Sequence, residues 1–350
     1  MEDVVVIGAG ISGLTAARQL QQLGYQVTVV DKSRGLGGRL ATRRRGTTAI
    51  DHGCRYLQPF ADPTLSCLAP LLETNVLQLW EPEAFTLGAD GSLKAGATEI
   101  LYTAPQGMSA IAKALSPGLT IHRHWRATAL TLLPQGWRIE GEMLSSDCQG
   151  QPSSIEAKTV VVAIPAPQAA ALMDRAAPQH QGLAKLMHQL QIVEFDAVIT
   201  TMAGYSPDES VSLLNQTSQG GWMVVGNSHP VLRWASLDSS KRTDPIEPVV
   251  VIHSSAAFAA NNIDRCDLES VGQELLSAAE SLAPWLSSPI WMQVHRWRYG
   301  FVRRPLGTPV LYSPALPTLV GCGDWCSGAN VESAIASGHR AAELIATALK

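Results

Sequence analysis

Three glycines near the start of the chain have the spacing of a phosphate-binding turn. Gly8, Gly10 and Gly13 follow the pattern G-x-G-x-x-G, and an acid, Asp31, comes later. The first glycine permits a tight turn, the second lets a pyrophosphate approach the backbone, and the third lets a helix pack closely on a strand. A carboxylate about 20 residues further on accepts hydrogen bonds from ribose hydroxyls. These residues predict a dinucleotide-binding site.

The segments around these residues have the patterns needed to position them. Val4–Ile7 is an apolar run typical of a parallel strand buried on both faces. Ile11–Leu23 has the periodicity of a helix, and Tyr25–Val30 predicts a second strand that ends at Asp31. The N-terminus of such a helix offers unpaired N–H groups and a positive dipole end to phosphates.

Length, charge and cysteine content narrow the class of protein. The chain has 350 residues, a net charge of -4 and six cysteines, of which Cys322 and Cys326 form the only close pair. This length favours two domains, and the weak negative charge excludes a nucleic-acid partner. No metal-ligand spacing is present, and no apolar stretch is long enough to cross a membrane. We therefore expect free thiols, no metal, no membrane span and a cytoplasmic location.

The residues after Asp31 separate FAD from NAD. The segment stays glycine-rich and basic through Gly35, Gly37, Gly38 and Arg39. It resembles the second signature of the flavoprotein family that includes monoamine and polyamine oxidases. The resemblance implies that this segment wraps the FAD pyrophosphate and ribityl chain, where an arginine provides a fixed-charge fork for phosphate oxygens.

Later segments extend the resemblance. In the C-terminal segment Leu319–Ile345, an apolar strand leads to Gly323-Asp324, and a helix begins near Val331. In similar flavoproteins this Gly-Asp pair meets the ribityl–phosphate end of FAD, and the helix N-terminus points at the flavin, where reduction builds negative charge. Thr159–Met173 is expected to contain a further strand of the FAD domain, which ends in Pro165 and Pro167. A hairpin upstream is expected to bring the backbone near Arg126 to the adenine ring.

Within this superfamily the chain resembles renalase and the bacterial renalase-like proteins. The resemblance is carried by DKSRGLGGRLATRR, DHGCRYL, APQGMSAIAKAL, HRWRYGFV and GDWCSGANVESA. It implies a non-covalent FAD and the oxidation of 2- or 6-dihydroNAD(P). A hydride would pass to flavin N5 and two electrons then to dioxygen, which gives NAD(P)+ and hydrogen peroxide.

Two positions depart from the pattern of that family. Arg55 stands where an amide is usual, and Gln106 is an extra residue in the Pro-Gly-Met motif. A cation at Arg55 favours a reduced anionic flavin or an anionic substrate. Cys54 and Cys326 keep open a covalent flavin thioether, whereas the resemblance favours non-covalent FAD.

The motifs and the resemblance together define a set of candidate site residues. For FAD we assign Gly8, Gly10, Ser12, Gly13, Asp31, Lys32, Gly38, Arg39, Arg55, Tyr56, Arg126, Gly323, Asp324 and Val331. For the substrate we assign Tyr56, Leu57, Pro105, Gln106, Gly107 and Trp297. No Ser/His/Asp set or carboxylate pair stands out, so no residue is assigned as a catalytic acid or base. His295 is interpreted as a core histidine.

The predicted fold is α/β, with a Rossmann-like FAD-binding domain of the glutathione-reductase type and a second α+β substrate domain built on an antiparallel sheet. The FAD domain is expected from residues 1–60, 100–170 and 300–350, and the substrate domain from 61–99 and 171–299. Strands at Ile192–Gly204, Gly221–Asn227 and Pro248–Ser255 would form the second sheet, with a helix at Leu268–Leu282 covering it.

Three functions remain open at this stage. The first is a renalase-like oxidase of dihydronicotinamides, which needs no proton-accepting side chain because a dihydropyridine loses a hydride from carbon. The second is an amine or amino-acid oxidase of the same fold, in which the amine must first lose its proton. The third is an FAD-binding redox sensor or scaffold with little turnover.

Overall fold

In the structure, a computed structural model, residues 1–59, 68–144, 150–208, 211–214 and 220–350 are described. The elements of the first half are β1 (Glu2–Ile7), α1 (Ile11–Gln22), β2 (Val27–Val30), β3 (Thr42–Arg45), β4 (Thr48–Asp51), α2 (Ala69–Glu73), β5 (Gln78–Trp80), β6 (Glu83–Leu87), β7 (Leu93–Thr98), β8 (Leu101–Thr103), α3 (Ser109–Leu115), β9 (Thr120–His122), β10 (Trp125–Leu133), β11 (Gly136–Met143) and β12 (Pro152–Val162). Those of the second half are α4 (Ala166–Met173), α5 (Gln181–Leu190), β13 (Glu194–Gly204), β14 (Trp222–Val225), β15 (Leu232–Leu237), β16 (Val249–Ser254), α6 (Ala256–Asn262), α7 (Leu268–Ala279), β17 (Trp291–Arg304), β18 (Leu311–Tyr312), β19 (Leu319–Gly321), α8 (Asp324–Ser327) and α9 (Val331–Ala348), with short 3₁₀ helices at Ala177–Gln179, Asp238–Lys241 and Pro284–Ser287.

The first of two compact units comprises Met1–Gly38, Ala112–Phe195 and Val302–Lys350. Its described strands form an eight-stranded sheet in which β9, β2, β1, β12 and β19 run parallel in that spatial order. The hairpin of β10 and β11 adds antiparallel strands to β12. Helices α1 and α9 pack on each other. The strand–turn–helix–strand order predicted for the glycine motif is confirmed.

The second unit comprises Arg39–Ile111 and Asp196–Phe301. Seven of its described strands form one sheet in the order β17-β13-β16-β15-β14-β6-β7, and the pairs β3–β4 and β5–β8 form two small antiparallel sheets. The pairs β13–β16, β16–β15, β15–β14 and β6–β7 are antiparallel, whereas β14–β6 is parallel. Residues alternate between the two faces, as the period of a strand requires. Val250 and Ile252 pack beneath α7, while Val249 and Val251 face a second core with Trp234.

The predicted fold class is confirmed, with differences in detail. The strand predicted in Thr159–Met173 ends earlier than the predicted Pro165. The strand β12 ends at Val162, and helix α4 begins at Ala166 with a proline in its first turn. Proline is tolerated there because the first N–H groups of a helix have no intrahelical partner, and the alanines that follow favour a helix.

The compact units divide the chain at positions other than the predicted domain boundaries. The described residues of 39–60 and 100–111 belong to the second unit, where β4 packs on β16 and β8 pairs with β5. Residues 171–195 belong to the first unit, where α5 packs on α4. Residues 60–67, part of the domain prediction, lie outside the described residues. The domain boundaries themselves stay a prediction.

Candidate functional site

The glycine turn of the first unit leaves open space in front of the N-terminus of α1. Gly8 has a φ of 110°, and a Cβ there would lie 2.5 Å from the carbonyl oxygen of Ala163. A Cβ on Gly13 would clash with the carbonyl oxygen of Gly8, whereas a Cβ on Gly10 would meet nothing within 4 Å. No side chain caps this helix. Tight packing below and an open, uncapped helix end fit a bound pyrophosphate.

Asp31, the residue predicted to bind the ribose, holds the glycine turn through its carboxylate. Its Oδ2 accepts the N–H of Ala9 at 2.7 Å, and its Oδ1 accepts the N–H of Ser33 at 2.7 Å. A carboxylate has about four lone-pair sites, so both oxygens retain capacity for ribose hydroxyls. The neighbouring Lys32 is exposed, and Ser12 is buried in the first turn of α1.

The second glycine-rich segment lies against the first. The N–H of Gly37 donates to the carbonyl oxygen of Ala9 at 2.9 Å, and Gly37 forms a bridge with Gly10. A Cβ on Gly38 would lie 3.4 Å from the Cα of Gly10. Residues predicted to wrap one pyrophosphate are therefore adjacent within the first unit.

The C-terminal motif has the predicted strand and the predicted helix, with one short helix added between them. Gly323 donates its N–H to Ser337 Oγ at 3.0 Å, and Asp324 begins a separate short helix, α8. Helix α9 begins at Val331 as predicted, and its cap is Asn330, whose Oδ1 accepts the N–H of Ser333 at 2.9 Å. Asp324 is buried at 7% exposure and does not cap α9.

The described cysteines are free thiols. Burial raises the pKa of Cys322 to about 12 and that of Cys54 to about 11, and it raises the pKa of Cys326 further. All three therefore stay protonated at neutral pH, which makes them poor nucleophiles. Cys67 and Cys148 lie outside the described residues.

Arg126 lies at the start of the predicted adenine hairpin. The N–H of the preceding residue, Trp125, donates to the carbonyl oxygen of Asp31 at 2.9 Å, which brings this strand beside Asp31. The Arg126 side chain is exposed and pairs with Glu142 across the hairpin. Its side chain is thus engaged elsewhere, and only its backbone remains a candidate for contact with adenine.

The second unit brings together most of the residues predicted for the substrate. The carbonyl oxygen of Arg39 accepts the N–H of Cys54 at 2.7 Å, and the guanidinium of Arg39 donates to the carbonyl oxygen of Gly300 at 3.4 Å. Trp297 Nε1 donates to the carbonyl oxygen of His52 at 2.8 Å. The segment from Arg39 to Tyr56 is thereby fixed to β17.

Four buried charges anchor this segment; we call Asp51, Asp238, Lys241 and Arg242 the charge network. Lys241 Nζ donates to Asp238 Oδ1 at 2.8 Å and to the carbonyl oxygen of Arg55 at 2.8 Å. Arg242 Nη2 donates to Asp51 Oδ2 at 2.8 Å and to Asp238 Oδ2 at 2.7 Å. Burial favours the neutral acid of Asp238, but Lys241 and Arg242 outweigh it and hold the pKa of Asp238 below its ordinary value.

The predicted substrate turn is held by the same network. Asp51 Oδ1 accepts the N–H of Met108 at 2.8 Å, just after Gly107, whose φ of 89° suits glycine. Pro105 is half-buried, and the carbonyl oxygen of Gln106 accepts Arg44 Nη2 at 3.0 Å. Leu57 is only 2% exposed, and its N–H donates to the carbonyl oxygen of Tyr102 at 2.8 Å.

Aromatic rings and histidines form two groups of ring contacts in this unit, and together we call His52, Trp234, His253, His295, Trp297 and Phe301 the aromatic–histidine face. The His295 ring centroid lies 4.4 Å from that of Trp297 and 4.8 Å from that of His52. The ring of His253 lies 5.2 Å from Trp234 and 6.3 Å from Phe301. Among the described residues, neither ring nitrogen of His253 nor Trp234 Nε1 has a hydrogen-bond partner.

His52, His253 and His295 are neutral at physiological pH. Burial lowers the pKa of His52 to about 3, with help from His295 and Arg43. Burial and then Arg43 lower the pKa of His295 to about 4. Burial, followed by the positive charge of Arg55, lowers the pKa of His253 well below its ordinary value. The face therefore offers neutral rings and weak bases.

Two arginines adjoin this face. The guanidinium carbon of Arg55 lies 5.4 Å from the ring centroids of Tyr56, Trp234 and Phe301. That of Arg233 lies 4.0 Å from the Phe301 centroid. The predicted flavin neighbours Arg55 and Tyr56 thus belong to an aromatic cluster, in which Tyr56 also packs on Trp80 with the ring centroids 6.3 Å apart.

Sequence reasoning missed the charge network, Arg233 and His253. A signal for the network was available, because Asp238, Lys241 and Arg242 are spaced three and four residues apart. His253 was detectable as a polar residue that ends the apolar run Val249–Ile252. The sequence around Arg233 gives no comparable signal, since a single arginine in a strand is normally interpreted as a solvated side chain.

Comparison with known proteins places the chain in a family. The model of the NAD(P)-binding Rossmann-like domain matches residues 6–69, and that of flavin containing amine oxidoreductases matches residues 77–346. The chain belongs to the flavin containing amine oxidoreductase family. The protein is accordingly a flavoprotein of the oxidoreductase class, and FAD is the cofactor that this family and the Rossmann-like domain imply. The open glycine turn and Asp31 fit that cofactor.

Individual relatives are similar over short segments. The chain is 38% identical over 78 residues to a probable polyamine oxidase 4 from Arabidopsis thaliana, and 39% identical over 69 residues to a putative flavin-containing monoamine oxidase from Mycobacterium tuberculosis. These matches cover 22% and 20% of this chain but only 15% of each relative. These matches support membership of the family, and they do not indicate a specific activity.

Solved structures are similar over nearly the whole chain. A putative protoporphyrinogen oxidase from Exiguobacterium has a TM-score of 0.74 at 15% identity, with 98% of both chains covered. A putrescine oxidase triple mutant has a TM-score of 0.73 at 15% identity, with 99% covered. At this identity the likeness establishes the fold. Within the described residues, no helix is both long and apolar enough to span a membrane.

Proposed function

We propose that the protein is a renalase-like FAD-dependent oxidoreductase that oxidises 2- or 6-dihydroNAD(P), with dioxygen as the final acceptor. The observation that carries this proposal is the aromatic–histidine face, with its neutral histidines and its neighbouring arginines. When bound, FAD accepts two electrons from the substrate and passes them to dioxygen. The site residues assigned to FAD from the sequence, and its non-covalent attachment, form part of this proposal.

The low histidine pKa values bear on which substrates the face suits. A side chain whose conjugate acid has a pKa of about 3 or about 4 is a weak acceptor for the proton of an ammonium group. A dihydropyridine needs no such acceptor, because it becomes aromatic when a hydride leaves its carbon. The protein then has to orient the ring, and the half-buried rings of His295 and Trp297 provide flat surfaces for that purpose.

The charges near the face favour an anionic substrate over a polyamine. Arg55 and Arg233 both lie against Phe301, and like charges repel a polycationic substrate. The phosphates of a dinucleotide would be attracted instead. An amino-acid oxidase is the second candidate, since its substrate carries a carboxylate, and similarity to amine oxidases supports it equally at the level of the family.

The decisive experiment is anaerobic stopped-flow reduction of the holoenzyme, followed by loss of the flavin absorbance. The panel contains 2-, 4- and 6-dihydroNAD(P) together with amines and amino acids. We expect rapid bleaching by the 2- or 6-isomer, with a limiting rate nearly constant from about pH 6 to 9 because no group of the face titrates in that range. His52→Ala and His295→Ala should change this rate only a few-fold.

The competing functions give different results. Bleaching by amines or amino acids alone, with a rate that rises as the amine loses its proton, would replace the proposal with an amine or amino-acid oxidase. Slow reduction by every compound in the panel, despite full FAD occupancy, would favour a redox sensor or scaffold.

A further inference from the structure

Two arginines of the second unit converge on one aromatic ring with little compensating negative charge. The guanidinium carbons of Arg233 and Arg55 lie 4.0 and 5.4 Å from the centroid of Phe301. Burial and the charge of Arg55 lower the pKa of Arg233. Two cations held close together in partial burial repel each other, so the arrangement gains stability when an anion binds next to them.

The counter-charges on the described residues are few. Asp196 Oδ2 lies 3.6 Å from Arg233 Nη1. The carboxylates of Asp51 and Asp238 are engaged with Arg242, and Asp238 also with Lys241. Among the described residues the guanidinium of Arg55 takes part in no ion pair, and its contacts are with aromatic rings. One positive charge of this group therefore lacks a carboxylate partner in the described part of the chain.

A buried donor beside the two arginines points to the same kind of ligand. Trp234 is 1% exposed, and its Nε1–H, which can only donate, has no acceptor among the described residues. The guanidinium of Arg55 lies 5.4 Å from this indole ring. An unsatisfied buried donor is costly, and it becomes satisfied when a ligand presents an acceptor. Arginine and indole N–H groups together suit a group that only accepts hydrogen bonds.

We infer that Arg55, Arg233 and Trp234 form a subsite for an anionic group of the substrate, a carboxylate or a phosphate. The inference rests on the proposed function in one respect, since it names the recognised part of the substrate of that site. The backbone of Arg55 is held in place by a side chain, because Lys241 Nζ donates a hydrogen bond to the Arg55 carbonyl oxygen at 2.8 Å. Arg55 thus presents its side chain from an anchored segment.

The test is calorimetric titration of the oxidised holoenzyme with benzoate and, separately, with inorganic phosphate, at constant ionic strength. We expect at least one anion to bind. Arg55→Gln and Arg233→Gln should each weaken that binding by about 10- to 100-fold, as expected for the loss of a hydrogen bond to a charged group. Arg55→Lys should bind with intermediate affinity, because lysine keeps the charge but loses the planar fork.

Arg298→Gln is the matched control. Arg298 is an arginine of β17 that is 55% exposed and pairs with Asp264, so its loss changes the net charge equally and should leave anion affinity unchanged. Arg55→Gln introduces a neutral side chain and retains the backbone carbonyl that Lys241 binds, so it should fold. Unchanged anion affinity in Arg55→Gln, or no binding of either anion by the unaltered protein, would overturn the subsite.

The two anions distinguish the source of the charge. Phosphate binding that depends on Arg55 supports a dinucleotide substrate, and benzoate binding that depends on Arg55 supports a carboxylate substrate. Failure of the proposed function is seen separately. If no dihydronicotinamide bleaches the flavin while Arg55-dependent anion binding persists, the subsite stands and the substrate assignment falls.

Discussion

Lys241 provides the sharpest test of how the charge network stabilises the second unit. Lys241 and Asp238 are both 0% exposed, and Lys241 Nζ also lies 5.0 Å from the Trp80 ring centroid. Replacing Lys241 with Met keeps an unbranched chain of similar length but leaves two carboxylates facing Arg242 alone. Removing one partner of a buried ion pair lowers the free energy of unfolding by about 3–5 kcal/mol. We expect Lys241→Met and Asp238→Asn each to show a loss of that size.

The double variant decides between a charge effect and a packing effect. Lys241→Met combined with Asp238→Asn leaves Asp51 and Arg242 as a balanced pair, with their 2.8 Å contact intact. Its free energy of unfolding should therefore be lowered by much less than the sum of the single losses, with a coupling energy of at least about 2 kcal/mol.

The assay is urea unfolding of the FAD-saturated protein, followed by tryptophan fluorescence. Lys158→Met is the control, because Lys158 pairs with Asp3 at 2.7 Å while 52% exposed. Its loss should be below about 1 kcal/mol. A loss below about 1 kcal/mol for Lys241→Met, or additive losses in the double variant, would refute this account of the network.

Three further predictions concern FAD and pH. Acid precipitation should release FAD into the supernatant, because Cys326 is a buried thiol; flavin retained in the pellet would show a covalent link. Arg39→Ala should weaken FAD binding by about 2 kcal/mol if Arg39 pairs with the pyrophosphate, whereas Arg298→Ala should not; equal affinities, measured by flavin fluorescence titration, would make Arg39 a structural residue. The pKa of His52 is lowered from 6.5 to about 3, so between these pH values the unfolded chain binds a proton that the folded protein does not. The free energy of unfolding is therefore highest above pH 6.5 and falls as the pH drops toward 3. The loss of unfolding free energy approaches about 1.4 kcal/mol per pH unit for each such histidine. His52→Asn should therefore reduce the slope of the urea midpoint plotted against pH, and identical slopes would contradict a lowered pKa of His52.

Local patterns were sufficient for the dinucleotide half of the molecule. The turn at Gly8, Gly10 and Gly13, the strand before it and the helix after it involve residues close in the chain, and steric rules allow few alternatives. For the same reason α9 was expected at Val331, where it begins. Three strands of the second sheet, β13, β14 and β16, were also predicted, since their apolar runs are continuous, whereas β6, β7, β15 and β17 were not.

Only the tertiary structure decided which charged residues surround the aromatic–histidine face. Asp51 and Asp238 are far apart in the chain, yet the Asp51 N–H donates to Asp238 Oδ2 at 3.1 Å, and both acids share Arg242. Arg55 and Arg233 likewise meet at Phe301. Whether a charged side chain is solvated or buried depends on the residues that fold over it, and burial also sets the pKa of His52 and His253. The sequence by itself determined the Rossmann-like turn, because that turn depends on local backbone geometry, whereas the FAD residues taken from the family resemblance stay a prediction. The spacing of Asp238, Lys241 and Arg242 indicates contacts among those three residues, but only long-range packing brings Asp51 to them and Arg55 to Arg233.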